Sequence, residues 1–331
     1  MKVLIITEGG RDIGFGHVTR CLSLYEAFGR RDIVPKFLVN SDNSVKDALR
    51  DIECDVYDWL EHRDTLMEDL KKTRIAIIDS YMADISLYRM VSELVKVSAY
   101  VDDMQRLKYP KGTVLSWSLS EENNDCVEKD GVNWLTGERY APLRRDFYEI
   151  EKKIIKKNIQ NILITFGGTD PKNMSSKILS LLKEKYPDIS KKVVIGKAFK
   201  NIKEIEDIQD DRTELVYFPE AARMKELMLD ADIAISAGGQ TLFELARVGV
   251  PTITLCTVDN QLNNIETLKN TGFLEHVITL DNVEKLVDII DNIGISFSYE
   301  KRKMQSKLGR KLVDGKGGDR IVEFLMKEEE A

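Results

Sequence analysis

The amino-acid sequence predicts an α/β protein of two units, each a parallel sheet covered by helices on both faces. Three observations carry this. Apolar runs of strand length alternate with amphipathic stretches of helical period, the pattern of a parallel sheet with crossover helices. One strand near the start of each half runs directly into a glycine loop. The 331 residues, 43% of them hydrophobic, are enough for two ordinary cores.

Val3, Leu4, Ile5 and Ile6 form the first strand, followed by Gly14-Phe15-Gly16-His17-Val18-Thr19-Arg20-Cys21. Val18, Cys21, Leu22, Tyr25 and Phe28 recur at helical spacing, so this glycine loop joins a strand to a helix. The spacing next predicts a strand over 36–39, a helix over 44–51 and a strand over 76–78 ending in Asp79-Ser80-Tyr81. A helix over 87–96 and a strand over 99–101 ending in Asp102-Asp103 follow. In such sheets ligands sit beyond the carboxyl ends of the strands, so the loops after Ile6, Ile78 and Val101 are expected on one rim.

A charged, helical connector is expected over 149–160, from Glu149, Glu151, Lys152, Lys153, Lys156 and Lys157 set around Ile150, Ile154 and Ile155. It would separate a first domain, 1–148, from a second, 161–331. The second series opens with Ile162-Leu163-Ile164-Thr165 and runs into Phe166-Gly167-Gly168-Thr169-Asp170. A helix over 175–185, strands over 193–196 and 215–218, a helix ending at Leu229 and a strand over 233–236 come next. That last strand leads into Ala237-Gly238-Gly239-Gln240-Thr241 and a helix whose apolar positions are Leu242, Leu245, Ala246 and Val248. Amphipathic helices over 280–327 are expected to finish the second domain and to pack back across the first.

Composition narrows the function. Both charge signs are interspersed at a net charge of -7 without a basic stripe, which argues against nucleic acid as the main partner. Cys21, Cys54, Cys126 and Cys256 match neither zinc spacing nor a disulfide framework and suit a reducing cytoplasm. The opening apolar run is too short for a signal peptide and no later run is long enough to cross a bilayer, so a soluble, cytoplasmic protein without stable membrane association is expected. No Walker lysine follows either loop, no glycine-flanked nucleophilic serine is present, and Thr19 stands where a dinucleotide fingerprint needs its third glycine. No cofactor and no metal are expected. Asp79, Asp102 and Asp103 at strand ends could hold Mg²⁺ but fit helix and loop capping better.

Six segments in order carry a resemblance: Gly14-Phe15-Gly16-His17 with Arg20-Cys21, Asp102-Asp103, Leu143-Arg144-Arg145-Asp146-Phe147, Phe166-Gly167-Gly168-Thr169-Asp170, Ser236-Ala237-Gly238-Gly239-Gln240-Thr241 with Glu244, and Asp259-Asn260-Gln261. Together they resemble the UDP-sugar hydrolases of pseudaminic acid biosynthesis and the spore-coat polysaccharide proteins similar to them. These are similar in turn to the transferase that adds N-acetylglucosamine to the lipid-linked peptidoglycan precursor. The resemblance implies the glycosyltransferase-B fold, two Rossmann-like domains facing a cleft, and a reaction in which water replaces UDP at the anomeric carbon with inversion. It implies a UDP-linked amino sugar as ligand and His17 as the base. It implies Arg144 and Glu244 as ligand contacts and Tyr81 near the sugar, and the loops and motifs themselves add Gly14, Gly16, Gly167, Gly168, Gly238, Gly239, Gln240, Thr241, Asn260 and Gln261 as expected substrate contacts. After the acidic pair this chain carries Val114-Leu115-Ser116-Trp117-Ser118 where those hydrolases carry a Cys-Asp and an Asn, so the sugar stays open.

The residues themselves allow this chemistry. Free N–H groups at the helix that follows Gly238 and Gly239 favour a diphosphate leaving group. Thr241 and Glu244 fit a capping box, while Glu244, one turn in, could equally accept from ribose hydroxyls. A helix N-terminus disfavours a charged imidazole, so His17 is expected to be able to accept a proton. Two rivals remain: an inverting glycosyltransferase with an acceptor hydroxyl in place of water, and a non-catalytic nucleotide-sugar binding protein. Neither loop is complete alone, so activity is expected to require the two domains to close.

Overall fold

The computed structural model describes residues 1–10, 13–46, 49, 52–118 and 126–331. The chain divides into one unit of Met1–Arg145 with Lys316–Ala331 and another of Asp146–Gly315.

The first unit contains β1 (Val3–Glu8), α1 (Gly16–Gly29), β2 (Lys36–Asn40), β3 (Cys54–Val56), α2 (Arg63–Leu70), β4 (Ile75–Asp79), α3 (Ile85–Leu94), β5 (Val97–Val101), β6 (Gly112–Ser116), β7 (Cys126–Lys129) and β8 (Val132–Thr136). Its sheet runs β3-β2-β1-β4-β5-β6-β8-β7. All pairings are parallel except the β7–β8 hairpin. β1, β4 and β5 are buried along their whole length, as continuous apolar strands covered on both faces should be. One face packs Leu4, Ile6, Leu38, Ala76 and Ile78 onto Trp59, Leu66, Leu87 and Val91. The hairpin turns on Asp130 (φ 53°) and Gly131 (φ 77°), the left-handed pair that an Asp-Gly turn favours. The helix expected over 44–51 lies partly outside the described residues; within them a 3₁₀ turn spans Asn43–Val45.

The second unit contains β9 (Asn161–Thr165), α4 (Met174–Lys185), β10 (Ser190–Ile195), α5 (Ile202–Ile208), β11 (Thr213–Tyr217), α6 (Ala221–Asp230), β12 (Ile233–Ala237), α7 (Thr241–Val248), β13 (Thr252–Cys256), α8 (Leu262–Asn270), β14 (His276–Thr279), α9 (Glu284–Asp291), α10 (Ile293–Ser296) and α11 (Tyr299–Leu312). Its all-parallel sheet runs β11-β10-β9-β12-β13-β14. Ile162, Ile164, Val193, Ile233, Ile235 and Ile253 face Ile178, Leu182, Leu286 and Ile290 in one core.

Two expectations are corrected. The segment 151–160 is not helical. Its carbonyls are taken by arginines of α11 rather than by an internal ladder. Arg302 donates to Lys156 O and Lys157 O, and Arg310 to Ile150 O and Glu151 O. Lys153 is buried, with Nζ on the carbonyls of Met228 (2.9 Å), Leu229 (2.9 Å) and Ala231 (2.5 Å) at the end of α6, where a cation suits the helix C-terminus. The second correction is the C-terminus. The last helix, α12 (Gly317–Glu330), belongs to the first unit and not to 161–331. A Cβ on Gly317 would lie 2.2 Å from Ala141 O and one on Gly318 3.0 Å from Ala27 Cβ, so Gly317 lets the start of α12 lie on the 140–141 backbone and Gly318 lets it lie close against α1. Ile321, Val322 and Leu325 are fully buried there, and Arg31 donates to Asp319 (3.1 Å).

Candidate functional site

The first sheet changes its direction of growth at β1, with β2 on one side and β4 on the other. The carboxyl ends of β1 and β4 therefore flank the position where such sheets bind ligands. The glycine loop is pinched there by two bonds, Gly10 N–H to Gly14 O (3.0 Å) and Gly14 N–H to Gly10 O (2.7 Å), with Gly14 at φ +91°. A Cβ on Gly9 would meet Val18 Cγ2 at 2.6 Å, so the first turn of α1 rests on the end of β1. That places His17 and Arg20, one turn apart, over Asp79 at the end of β4.

These groups form one network. His17 Nδ1 lies 2.7 Å from Asp79 Oδ1. Arg20 donates from Nε to Asp79 Oδ2 (2.5 Å), from Nη2 to Asp79 Oδ1 (2.6 Å) and from Nη1 to Asp103 Oδ2 (2.9 Å). The Tyr81 hydroxyl donates to Asp103 Oδ1 (2.8 Å), and its ring meets the His17 imidazole edge-on at 4.5 Å. Glu8, buried, accepts from Tyr81 N–H (2.8 Å) and from the Ser80 hydroxyl, and its Oε1 lies 3.9 Å from His17 Nε2. Asp79 is fully buried and His17 is 7% exposed.

Burial alone would raise the Asp79 pKa, but the charges of Arg20 and His17 outweigh it and hold the carboxyl well below the usual range. Burial opposes the charge on Arg20, yet Asp79 and Asp103 together keep the guanidinium firmly protonated. Burial also pushes the Tyr81 phenol up, keeping it a neutral donor to Asp103. Asp102 caps its own loop, accepting from Met104 N–H (2.9 Å), Arg106 N–H (2.8 Å) and the Tyr109 hydroxyl (2.8 Å). The three strand-end aspartates are thus engaged by protein donors. Among the described residues no group of three or more His, Cys, Asp or Glu side chains is arranged to hold a metal.

The second unit repeats the topology: β10 lies on one side of β9 and β12 on the other. Gly167 and Gly168 follow β9, while Gly238, Gly239 and Gln240 follow β12 and lead into α7. Gln261 lies in the 3₁₀ turn Asp259–Gln261 after β13, and its Oε1 accepts from Gly238 N–H (3.3 Å), Thr257 N–H (3.0 Å) and the Thr257 hydroxyl (3.2 Å). Asn264 donates to Gly238 O (3.0 Å), and a Cβ on Gly238 would come within 2.5 Å of Ile265. Gly238 and Gln261 therefore brace the loop, and Gly239 faces open space. The capping box is not the arrangement found: Gln240 occupies the N-cap without a side-chain cap bond, and Thr241 is the first helical residue. Glu244 is buried in the first turn of α7, and Asn260 is exposed.

Gly196, after β10, underlies the Gly167-Gly168 loop. A Cβ there would sit 2.3 Å from Gly167 O and 2.6 Å from Gly168 O. Backbone cannot yield as a side chain does, so Gly196→Ala should destabilise the second unit by about 1–3 kcal/mol. Protease susceptibility of the 167–170 segment, compared with that of the wild type, checks this; an unchanged cleavage rate and melting temperature would refute it.

The structure thus brings Gly14, Gly16, His17 and Tyr81 together on one rim, and Gly167, Gly168, Gly238, Gly239, Gln240, Thr241, Glu244, Asn260 and Gln261 on the other unit's rim. Arg144 lies half-buried at the end of the first segment. The sequence reading gave no role to Glu8 or Arg20, and took Asp79 for a capping carboxylate. It also placed Phe218 at the end of a strand over 215–218, whereas β11 ends at Tyr217 and Phe218 follows it with φ 48° and an exposed ring beside Tyr217. A bulky residue in that conformation was not legible from composition or period.

Two α/β units, each with a glycine loop at its switch point, define a glycosyltransferase-B type of fold, and residues 161–314 match the glycosyltransferase family 28 C-terminal domain. The chain is a relative of the spore coat polysaccharide biosynthesis protein SpsG of Bacillus subtilis, 26% identical over 98% of each chain. It is 30% identical over 273 residues to the uncharacterized protein MJ1062 of Methanocaldococcus jannaschii, covering 77% of this chain and 55% of that protein. A further relative is the pseudaminic acid cytidylyltransferase and UDP-2,4-diacetamido-2,4,6-trideoxy-beta-L-altropyranose hydrolase of Helicobacter pylori, 23% identical over 83% of this chain and 48% of that protein. The chain therefore spans about half the length of these last two relatives. Among solved structures, MurG of Acinetobacter baumannii superposes with a TM-score of 0.67 at 14% identity, covering 99% of this chain and 100% of that one. The UDP-GlcNAc 2-epimerase of Neisseria meningitidis, bound to UDP-GlcNAc, gives a TM-score of 0.62 at 14% identity, covering 99% of this chain and 100% of that one. At these identities the two structures share the fold. No described helix is long and apolar enough to cross a membrane.

Proposed function

We propose that this protein is a nucleotide-sugar hydrolase that releases UDP and a free amino sugar by inverting attack of water at the anomeric carbon. The observation that carries the reading is His17 at the switch point of the first sheet. Of the three histidines, it alone stands in a glycine loop at the mouth of the strands. The second unit holds the diphosphate on the Gly239 loop and the start of α7, where the helix dipole favours the charge that grows as UDP departs. His17 Nε2 accepts the proton of the attacking water as the new carbon–oxygen bond forms and the bond to the β-phosphate oxygen breaks. Gly167 and Gly168 line the phosphate side, the Thr241 hydroxyl donates to the diphosphate, and Glu244 accepts from the ribose hydroxyls. Arg144 and Tyr81 contact the sugar. The relationship to the H. pylori hydrolase supports the reaction, and that to SpsG supports a place in surface-polysaccharide synthesis.

The match to a glycosyltransferase family 28 domain favours a second reading, in which an acceptor hydroxyl replaces the water on the same donor site. Incubation with a panel of UDP-amino sugars in ¹⁸O water separates the two. Hydrolysis with carbon–oxygen cleavage puts label into the free sugar. UDP release only with an added acceptor assigns transfer, label in phosphate overturns the mechanism, and binding without turnover overturns both in favour of a binding protein.

A further inference from the structure

Asp79, Arg20 and His17 are packed so that the proton on the imidazole has one place to go. Nδ1 lies 2.7 Å from Asp79 Oδ1 and 3.0 Å from Arg20 Nη2. Arginine offers only hydrogens and an ionised aspartate only lone pairs, so Nδ1 either donates to Asp79 or accepts from Arg20. Accepting from Arg20 would press the Nδ1 lone pair against a carboxylate oxygen at 2.7 Å with no hydrogen between them. Arg20 Nη2 already donates one of its two hydrogens to that oxygen at 2.6 Å. The arrangement without that clash is Nδ1–H donating to Asp79, which in the neutral ring leaves the lone pair on Nε2.

We infer that Asp79 is the positioning residue of this site: it fixes His17 in the Nδ1–H tautomer so that Nε2 is the atom that takes a proton, while Arg20 holds Asp79 ionised and in place. The inference rests on the reading of His17 as the proton acceptor and adds the residues that aim it. Asp79 is fully buried at the end of β4 and touches the chemistry only through the imidazole. Arg20 in turn is tied to Asp103, which takes the Tyr81 hydroxyl, so the orientation of the Tyr81 ring and of the imidazole depends on the same guanidinium. The network explains why Arg20 stands one turn after His17: from there it reaches both strand-end carboxylates. The same logic governs the aspartate of serine-protease triads, where the amide variant retains geometry but presents the wrong tautomer.

The test is the tautomer itself. In ¹⁵N–¹H correlation spectra of histidine-labelled full-length protein at pH 8.5, the His17 ring should carry its proton on Nδ1 in the wild type. It should carry it on Nε2 in Asp79→Asn, whose amide can donate to Nδ1. With a UDP-sugar that turns over, Asp79→Asn should lower kcat about 10²- to 10⁴-fold and leave KM within a few-fold. Asp79→Glu, which keeps the charge, should recover part of kcat and retain the wild-type tautomer. A wild-type ring protonated on Nε2 overturns the inference without any variant having to fold, as does an Asp79→Asn enzyme with unchanged kcat. Absence of turnover on every UDP-sugar, with the Nδ1–H tautomer in place, removes the hydrolase reading and leaves the tautomer assignment standing.

Discussion

His17→Asn should lower UDP-sugar turnover by about 10²- to 10⁴-fold, the usual contribution of a positioned general base, while leaving UDP affinity unchanged. The reasoning follows from what the imidazole touches. It is 7% exposed, its Nδ1 is engaged by Asp79, and its remaining nitrogen lies 3.9 Å from Glu8. The asparagine amide can still occupy the Nδ1 position against Asp79, so the rim should keep its shape. What is lost is the Nε2 lone pair. Binding of UDP belongs, in the proposed mechanism, to the glycine loops of the second unit, and calorimetry should find the same Kd in both proteins. A variant with near wild-type kcat would sink the assignment of His17. One that loses UDP binding along with turnover would show that the histidine holds the nucleotide instead.

Strands β1, β2, β4 and β5 of the first sheet, β9 to β12 of the second and the glycine loops were legible because they rest on local signals: continuous apolar strands, helical spacing and glycine at the strand ends. What was not legible depended on which strands become neighbours. Asp79 and His17 are far apart in sequence and meet because β4 pairs with β1, a fact of topology that no period encodes. Glu8 was visible only as the residue that ends an apolar run, although its place beside β4 makes it a partner of Ser80 and Tyr81. The connector failed for a related reason. Its mixture of lysine and isoleucine imitates an amphipathic helix, but Arg302 and Arg310 take its carbonyls and Lys153 reaches into the end of α6. In contrast, the β7–β8 hairpin did have a local signal, Asp130-Gly131, at the position where a two-residue turn prefers that pair.

Arg20→Met should destabilise the first unit by about 3–5 kcal/mol at pH 7, the cost of leaving buried charge without its partner. Arg20 is 8% exposed, and the carboxylates it joins are 0% and 4% exposed, so methionine would fill the space and remove the cation from both acids, leaving Asp79 the His17 ring and Asp103 the Tyr81 hydroxyl. The pH dependence follows from the sign of the Asp79 shift. In the wild type the depressed carboxyl contributes stability that is fully present above the unfolded aspartate value of ~3.9 and is lost only as pH falls through the lower folded value. Without Arg20 the largest charge opposing burial is gone, and although His17 still holds the carboxylate, the folded carboxyl should rise above its unfolded value. The variant then binds a proton more readily folded than unfolded, and gains stability as pH falls. The deficit relative to wild type should therefore be largest near neutral pH and shrink toward pH 4.5. Trp59, Trp117 and Trp134 all lie in the first unit, so urea unfolding followed by tryptophan fluorescence reports on it without interference from the other. A deficit under 1 kcal/mol at pH 7, or one that grows on acidification, would refute the account. Apolar residues in this place would stabilise the unit more cheaply than a buried arginine between two acids. In the proposed mechanism its presence is accounted for by what it aligns, Asp79 behind His17 and Asp103 behind Tyr81.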